Sequence, residues 1–309
     1  MPDTSPLVSV IIPAYRRADF VNQAVAGVLR QTFTDYEIIV VDDASGEDVV
    51  RQYRLPSPAT LIRRAVNSGS AAIPRNDGFR AARGTYLAFL DMDDLWLPEK
   101  LASQVAVLEA RPEVGVAYCH YTLVDEALNP EPKQAPAPKI GADALAQMIA
   151  GNFIRSPSQA LIRRSAIEAE GAFDETIVGT SDWSLWLHLA RSTKFAGDPA
   201  PLVLYRRHGS QQSRDMRRMR CGGITVLEKE REWIARERPD LLPLLQHHLA
   251  QRYYVYTKAQ MKLGDDVPAV YRTLRTAVAC SPGTLRIYQG FARLACYAIG
   301  QKFGRKPSV

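Results

Sequence analysis

The sequence predicts a doubly wound, mostly parallel α/β sheet that is flanked by helices and followed by a helical C-terminal extension. Over the first ninety or so residues, short β-branched runs alternate with amphipathic segments, the pattern of repeated strand-helix-strand units. After residue 210, apolar residues recur mostly at helical spacing. We therefore expect an α/β domain over residues 1–210 and a helical region over residues 211–309.

The composition is that of an ordinary globular protein with an excess of basic residues. The chain has 309 residues, a formal net charge of +6 and a pI of about 9.1. This charge favours anionic partners, such as nucleotides or phospholipid headgroups, without choosing among them. The four cysteines are far apart, so neither a zinc site nor a disulfide framework is expected. With no secretion-signal pattern and no apolar run near roughly 18 residues, we expect a cytoplasmic protein.

Four strands are predicted in the first part of the chain. A β-branched run at residues 8–12 is closed by Pro13, which cannot donate a further ladder hydrogen bond. A helix begins near Asp19, which can act as its cap. The later strands cover residues 37–41, 60–63 and 86–90, with helices at 47–54 and 70–82 between them. Strands joined in this way are parallel, and ligands bind such sheets at the carboxyl ends of the strands.

The rest of the first region has a weaker alternation of elements. A helix follows Pro98, and Pro-rich residues 125–141 form a loop. The other predicted elements are strands at 114–118, 159–162 and 202–205 and helices at 142–149 and 181–191.

The most informative stretch is the apolar strand at residues 86–90, which ends in Asp91, Asp93 and Asp94. Three carboxylates within four residues cannot follow a strand into the core without a positive partner. A second strand also ends in acid, at Asp42 and Asp43. Both acidic ends should lie on one edge of the sheet, so the sequence predicts a ligand site there.

Several segments occur in an order and spacing that chance similarity would not produce. They cover residues 8–15, 31–33, 39–45, 67–69, 75–78 and 84–94. Together they resemble family 2 of the glycosyltransferases, over residues 7 to about 210. The resemblance implies the GT-A fold and a nucleotide-diphosphate-sugar donor.

The resemblance also implies a nucleoside pocket at the end of the first two strands. Pro13, Ala14, Tyr15 and Asp43 would line it, with the Tyr15 ring against the base and the Asp43 carboxylate accepting from a base imino group. Such contacts suit uracil and leave thymine and guanine open. The remaining nucleotide-sugar-binding residues would be Asn67, Arg75, Asp91 and Met92. For Arg75, pairing with the acid cluster, contact with the diphosphate and an exposed helix face all stay open.

The resemblance implies a divalent metal at the acid cluster, because Asp91 and Asp93 match the Asp-x-Asp motif of the fold. Oxygen ligands with open positions suit Mn²⁺ or Mg²⁺, which keep waters and bridge substrate phosphates. Asp93 is the first choice of direct ligand, and Asp91 would contact ribose, metal-bound water or the metal. After the last strand, Arg206 and His208 occupy places from which a basic residue and a histidine can approach the diphosphate or metal.

The acceptor side is implied by residues 173–187, where an acidic residue before a tryptophan is the family's catalytic base. Asp182 matches that position, although the family usually has Glu-Asp where this chain has Ser181 and Asp182. A first-turn helix acid would look the same. Trp183 and Ser156 are expected on the acceptor side, whereas Trp186 is expected in the core.

The implied function is inverting transfer of a sugar, from a UDP-sugar by preference, to a hydroxyl of a saccharide or lipid-linked saccharide in cell-surface polysaccharide synthesis. A non-catalytic nucleotide-sugar-binding or assembly protein is the first alternative. A sugar nucleotidyltransferase is the second, although residues 13–17 lack the glycine-rich loop that it would need. No nucleic-acid partner is expected, because the basic run at residues 206–220 lacks interleaved aromatics.

The last segment, residues 286–309, has no acidic residue. Ile287, Phe291 and Leu294 fall on one helical face, which could lie on the inner surface of the cell membrane. A packed terminal helix with a solvated basic tail is the preferred interpretation, because the apolar face is short and rich in alanine. Contact with a second copy of the chain also stays open.

Overall fold

The computed structural model describes residues 5–135, 143–209 and 211–302. The chain divides into two compact units. The first comprises Met1–Met148, Asn152–Thr176 and Ser181–Gln211, and the second comprises Ile149–Gly151, Ile177–Thr180 and Gln212–Val309. The main division therefore lies beside residue 210. Two short segments from within the first region join the second unit, which the expectation of two uninterrupted regions did not include.

The first unit is organised by an eight-stranded mixed sheet formed by described residues. Its strands are β1 (Val8–Ala14), β2 (Tyr36–Asp42), β3 (Ala59–Arg63), β4 (Tyr86–Phe89), β5 (Leu95–Trp96), β6 (Val114–Val124), β7 (Ala160–Arg163) and β8 (Lys194–Arg206). The order is β3-β2-β1-β4-β7-β6-β8-β5. The pairs among β3, β2, β1 and β4 are parallel, as is β6 with β8, whereas β7 and β5 run antiparallel to their neighbours. This architecture confirms the predicted fold class.

The strand β1 continues two residues beyond the predicted end, through Pro13 to Ala14. Pro13 pairs in register with Val41 of β2, while β4 on the other side already ends at Phe89. Alternate residues of a strand bond to opposite neighbours, and Ala14 accepts from Asp43 on the β2 side. The missing N–H of Pro13 therefore faces the side on which no strand remains. The expectation that Pro13 closes the strand is wrong for this reason.

The helices alternate with the strands as predicted in the first half of the chain. They are α1 (Ala18–Leu29), α2 (Glu47–Val50), α3 (Ala72–Ala81), α4 (Lys100–Ala110), α5 (Ala144–Ala150), α6 (Arg164–Glu170) and α7 (Ser181–Ser192). Four more follow in the second unit: α8 (Met216–Glu237), α9 (Leu242–Leu263), α10 (Val267–Cys280) and α11 (Gln289–Lys302). The helix predicted at 47–54 is a single turn with no buried residue, since little apolar surface holds it to the sheet. The end of the predicted loop, at 136–141, lies outside the described residues.

The second unit has its own apolar core, formed by α9, α10, α11 and the turn before α11. Tyr254, Leu274, Ile287 and Leu294 are each at most 6% exposed in this core. Ile287 and Leu294 therefore face inward, which agrees with the preferred interpretation of a packed terminal helix and excludes this face as the one on a membrane surface. Within the described part of the chain, no helix is both long and apolar enough to cross a bilayer.

Candidate active site

The turn that follows β4 is held by the two serines of a neighbouring 3-10 turn, Pro157–Gln159. Ser156 caps this turn, and its Oγ lies 3.0 Å from Asp91 Oδ2 and 2.9 Å from Asp94 Oδ2. Ser158 Oγ donates to the same Asp94 oxygen over 2.6 Å and accepts from the Asp91 N–H. These hydroxyls satisfy carboxylates that would otherwise be buried without donors. Both serines are thus part of the frame of the acid cluster.

Asp94 is the buried member of the acid cluster, at 1% exposure. Burial, followed by the charges of Asp93 and Asp91, raises its pKa well above the usual range. Its second oxygen accepts from the backbone N–H of Arg206 over 3.2 Å. Asp94 therefore ties β8 to the turn, and Asp91 and Asp93 remain the cluster members that reach the surface.

Asp93 meets His208 at the end of β8. The Nε2 atom of His208 lies 2.9 Å from Asp93 Oδ2, and Gln211 Nε2 lies 3.5 Å from the same oxygen. The imidazole is only 7% exposed and packs edge-on against the ring of Phe20, with centroids 5.2 Å apart. Asp93 and His208, each predicted from the sequence as a metal ligand, thus lie side by side in the structure.

This pair suits a divalent cation that shares its coordination with a substrate. No group of three or more acidic, histidine or cysteine side chains among the described residues is arranged to hold a metal by itself. Mg²⁺ and Mn²⁺ do not need such a cage, since one or two protein ligands plus substrate phosphates and waters are sufficient. The residues present, Asp93 and His208, fit a metal of that kind.

Arg75 on α3 connects the acid cluster to the rest of the site. Its guanidinium is 6% exposed, Nη2 pairs with Asp91 Oδ1, and the group lies 5.2 Å from the ring centroid of Phe173. Nε of Arg75 is buried without a hydrogen-bond partner among the described residues. Of the alternatives left open by the sequence, the structure selects pairing with the cluster and excludes an exposed helix face.

Asp182 lies in the first turn of α7, where its Oδ2 accepts from Asn152 Nδ2 over 3.0 Å. Desolvation raises its pKa to about 6, against a lowering effect of Arg75. The charge of Asp91 raises it further. A carboxylate poised near neutral pH suits a general base. Asp182 therefore lies close enough to Arg75 and Asp91 for their charges to affect its pKa.

The nucleoside side is built on Asp43, which is 5% exposed after the end of β2. Its carboxylate accepts from Asn67 Nδ2 over 3.0 Å and from the Ser68 hydroxyl over 2.7 Å. Arg64 Nε lies 2.9 Å from its other oxygen, Oδ1. Asp43 thus orders residues 67–68, a role beyond the base contact that the resemblance implies.

The loop after β1 brings Tyr15 to the acid cluster. The Tyr15 N–H donates to the Met92 sulfur over 3.4 Å, and the guanidinium of Arg16 lies 4.8 Å from the Tyr15 ring centroid. Arg16 and Arg17 both adopt positive φ, 58° and 46°. Such strain in non-glycine residues is concentrated at ligand sites. Pro13 and Ala14, both buried, form the strand end beneath this loop.

Two residues expected on the acceptor side lie elsewhere. Trp183 is 2% exposed and donates its indole N–H to the Met148 carbonyl over 2.8 Å, so its ring is a core group and offers no stacking face. Ser156 is 2% exposed, and its hydroxyl is hydrogen-bonded to the acid cluster.

Arg206 also differs from expectation: its guanidinium lies 4.4 Å from the Phe20 ring centroid and donates to Gln23. Trp186 is fully buried, as predicted.

Sequence reasoning missed the residues that support the site through hydrogen bonds. Asn152, Ser158, Arg64 and Gln211 lie in loops or at strand ends, where no periodicity marks them. The signal available for the first two was the set of Asn and Ser side chains within residues 151–158, between a predicted helix and a predicted strand.

The fold and the acidic edge define an α/β protein with a candidate ligand site, rich in carboxylates, at the carboxyl ends of its strands. The chain belongs to the glycosyl transferase family 2, whose model matches residues 9–171. This match confirms the family that the sequence motifs resemble.

Curated relatives cover part of the chain. TuaG of Bacillus subtilis, a glycosyltransferase assigned to teichuronic acid biosynthesis, is 35% identical over 157 residues, which are 49% of this chain and 62% of TuaG. An uncharacterized glycosyltransferase of Nostoc sp. is 32% identical over 218 residues, 66% of this chain and 65% of the relative. An uncharacterized glycosyltransferase of Haemophilus influenzae is 38% identical over 112 residues, 36% of this chain and 38% of the relative. The chain thus spans less than two-thirds of each of these relatives.

Solved structures share the fold at low identity. Residues 1–349 of S. aureus TarS in complex with UDP-GlcNAc superpose with a TM-score of 0.60 at 14% identity, covering 96% of this chain and 92% of that chain. The mannosyltransferase PcManGT from Pyrobaculum calidifontis, in complex with GDP-Man and Mn²⁺, has a TM-score of 0.58 at 21% identity. The match covers 97% of this chain and 83% of that chain. These similarities support the fold assignment.

Proposed function

We propose that the protein transfers a sugar from a nucleotide-diphosphate sugar, with a UDP-sugar as the favoured donor, to a hydroxyl of a saccharide or lipid-linked saccharide. The observation that carries the proposal is the ion pair of Arg75 and Asp91, whose charges both act on the pKa of Asp182. One site therefore holds a candidate base and an acid cluster suited to a diphosphate and its cation. The UDP-GlcNAc complex of TarS supports the choice of donor.

In the proposed reaction Asp182 removes the proton of the acceptor hydroxyl. The hydroxyl oxygen attacks the anomeric carbon as the bond from that carbon to the diphosphate oxygen breaks, so the nucleotide leaves as its diphosphate. Attack from the side opposite the leaving group inverts the configuration in one displacement. Asn152 holds one carboxylate oxygen of Asp182, which fixes the direction of the base.

The other half of the site binds the leaving diphosphate. Asp93 and His208 would hold a Mn²⁺ or Mg²⁺ ion, which when bound supplies positive charge against the departing phosphates. Arg75 would contribute the positive charge of its nearly buried guanidinium, which offsets the negative charge of the departing phosphates. Arg75 engages Asp91 at Oδ1, and Ser156 Oγ lies beside Oδ2. Asp91 would contact ribose or metal-bound water through a remaining lone pair of its carboxylate.

The nucleoside would lie over Pro13 and Ala14, between Tyr15 and the Asp43–Asn67 pair. Asp43 is held by Asn67, Ser68 and Arg64, so its carboxylate is fixed before a base arrives. A fixed acceptor favours a base that presents an imino N–H, such as uracil, over one that does not. The relationship to TuaG supports a role in cell-surface polysaccharide synthesis.

A donor panel tests this proposal. UDP-, dTDP- and GDP-sugars, each with and without Mn²⁺, are compared by the shift in melting temperature of the whole chain. We expect metal-dependent stabilisation by the uridine class, roughly 3 kcal/mol at a hundredfold excess over Kd. A flat response across the panel would contradict the donor site. Stabilisation without any transfer to a set of saccharide acceptors would instead favour a non-catalytic nucleotide-sugar-binding protein.

A further inference from the structure

The last described helix of the second unit, α11, is apolar on two faces. The inner face of α11 and of the turn before it packs in the core, with Ile287, Leu294 and Tyr297 at 0%, 6% and 6% exposure. Another set of apolar residues, the outer row, is exposed to solvent. The outer row consists of Leu285, Tyr288, Ala292, Ala295 and Ile299. Its large members are strongly exposed, Leu285 at 81%, Tyr288 at 46% and Ile299 at 58%.

The spacing of the outer row separates it from scattered surface hydrophobics. Its members follow one another by three or four residues, which places them on one side of a helix. Tyr271 of α10, 46% exposed, widens the apolar area, since its ring centroid lies 6.0 Å from that of Phe291 on α11. Single exposed apolar residues need no explanation, but a contiguous row of this kind indicates a binding surface.

The chain segment that contains the outer row carries charge of one sign. From Val267 to Val309 the sequence contains seven Lys and Arg residues and no Asp or Glu. Arg286 and Arg293 are exposed beside the outer row. No carboxylate in the described part of the chain pairs with either guanidinium. The surface therefore combines exposed apolar side chains with uncompensated positive charge.

This combination selects among the partners that could cover an apolar helix face. A second copy of the same face would set Arg286 and Arg293 against their own counterparts, which is unfavourable. An anionic bilayer surface offers apolar volume below the headgroups and negative charge at their level, and both features of the face match it.

We propose that the outer row, together with Arg286 and Arg293, binds the surface of an anionic phospholipid bilayer. Helix α11 lies parallel to the membrane plane, with the outer row in the headgroup and acyl boundary and the arginines at the lipid phosphates. The proposal does not depend on the reaction proposed above. If it is right, the chain acts beside a membrane, where a lipid-linked acceptor would be concentrated.

Sedimentation of the full chain with vesicles tests the proposal without any nucleotide present. One vesicle is pure phosphatidylcholine, and the other contains roughly one-third phosphatidylglycerol to supply the negative surface. We expect binding to the anionic vesicle alone, weakening as salt is raised. Arg286→Gln with Arg293→Gln should weaken it roughly 30-fold, from about 1 kcal/mol per basic residue. The matched control, Arg51→Gln with Arg54→Gln, removes the same charge from the first unit and should have little effect.

A second variant separates apolar insertion from simple charge attraction. Leu285→Ser with Ile299→Ser keeps every charge, and both side chains are exposed, so the fold should be retained; circular dichroism checks this. We expect it to lose most of its vesicle binding. Equal binding to both vesicles, an equal loss in the control pair, or full binding by the serine variant would each overturn the proposal. So would sedimentation velocity that shows a dimer dissolved by the serine variant with no vesicle binding.

Discussion

Nε2 of His208 lies 2.9 Å from Oδ2 of Asp93, although 115 residues separate them in the chain. The contact joins the end of β8 to the turn after β4, the two places from which ligands to a diphosphate and its cation are expected. It gives a physical reason to propose that the acidic turn and a histidine far along the sequence act together. It also makes the metal proposal testable through a residue outside the Asp-x-Asp motif.

His208→Asn should weaken metal-dependent nucleotide binding, because the substitution removes one of two proposed protein ligands. Calorimetric titration of UDP with Mn²⁺ should give an affinity lower by about 10- to 100-fold, while the weaker binding without metal stays unchanged. His248→Asn in the second unit is the matched control and should bind as the parent chain does. If His208→Asn lowered binding equally with and without Mn²⁺, a role confined to packing on Phe20 would be indicated.

The pH dependence of kcat/KM should report Asp182 in the free protein. Desolvation raises its pKa to about 6, and a base must be ionised to act, so kcat/KM should rise with pH through a limb near pH 6. Arg75 opposes this shift by stabilising the carboxylate. Arg75→Met should therefore move the limb to higher pH as well as lowering kcat/KM. A limb that stays in place in Arg75→Met would contradict the proximity of the two groups.

The ionised carboxylate of Asp182 should also lower the free energy of unfolding at neutral pH. Its folded pKa lies above the ordinary 3.8, so the folded state binds more protons, and stability falls as pH rises from about 4 to 6. Asp182→Asn should remove this loss and raise the free energy of unfolding at pH 7.5 by about 1–3 kcal/mol. Urea unfolding at pH 4 and 7.5 measures the difference. A destabilised variant at pH 7.5 would mean that the carboxylate serves the fold.

The buried side chain of Lys100 should give the opposite dependence of stability on pH. Lys100 donates to the Ala160 carbonyl over 3.1 Å and lies 3.9 Å from the Trp96 ring centroid, and desolvation lowers its pKa to about 7. Between about pH 7 and 10 the unfolded state binds more protons, so stability should rise with pH over that range. Lys100→Met should lose this rise, whereas the exposed control Lys194→Met should keep it. Denaturant unfolding across the range checks both.

The sequence predicted the parts of the molecule that local patterns determine. The strand ends that carry Asp43 and Asp91 follow uninterrupted apolar runs, so their common edge could be deduced from alternating strands and helices. Pro13 was misread because its place in a ladder depends on where β4 ends, which the sequence does not show. On α11, apolar residues recur on both faces, so periodicity could not tell which face is packed.

The supporting contacts of the site lay beyond local patterns for a similar reason. Asn152 reaches Asp182 across 30 residues, and Ser156 reaches Asp94 across 62. Asn152 and Ser156 are polar loop residues, and no local sequence pattern distinguishes them from other such residues, because their partners are distant in the chain. Trp183 shows the reverse error, since a tryptophan beside a catalytic candidate suggests sugar stacking, whereas its indole is committed to the core.

The most direct test of the proposed function is turnover by Asp182→Asn with the nucleotide sugar selected by the donor panel and a hydroxyl acceptor. We predict a loss in kcat of about 10²- to 10⁴-fold with donor affinity unchanged, because only the proton acceptor is removed. Asp48→Asn, which alters an exposed acid in the first turn of α2, should turn over as the parent chain does. Undiminished transfer by Asp182→Asn would contradict the assignment of the base, and with it the proposed mechanism.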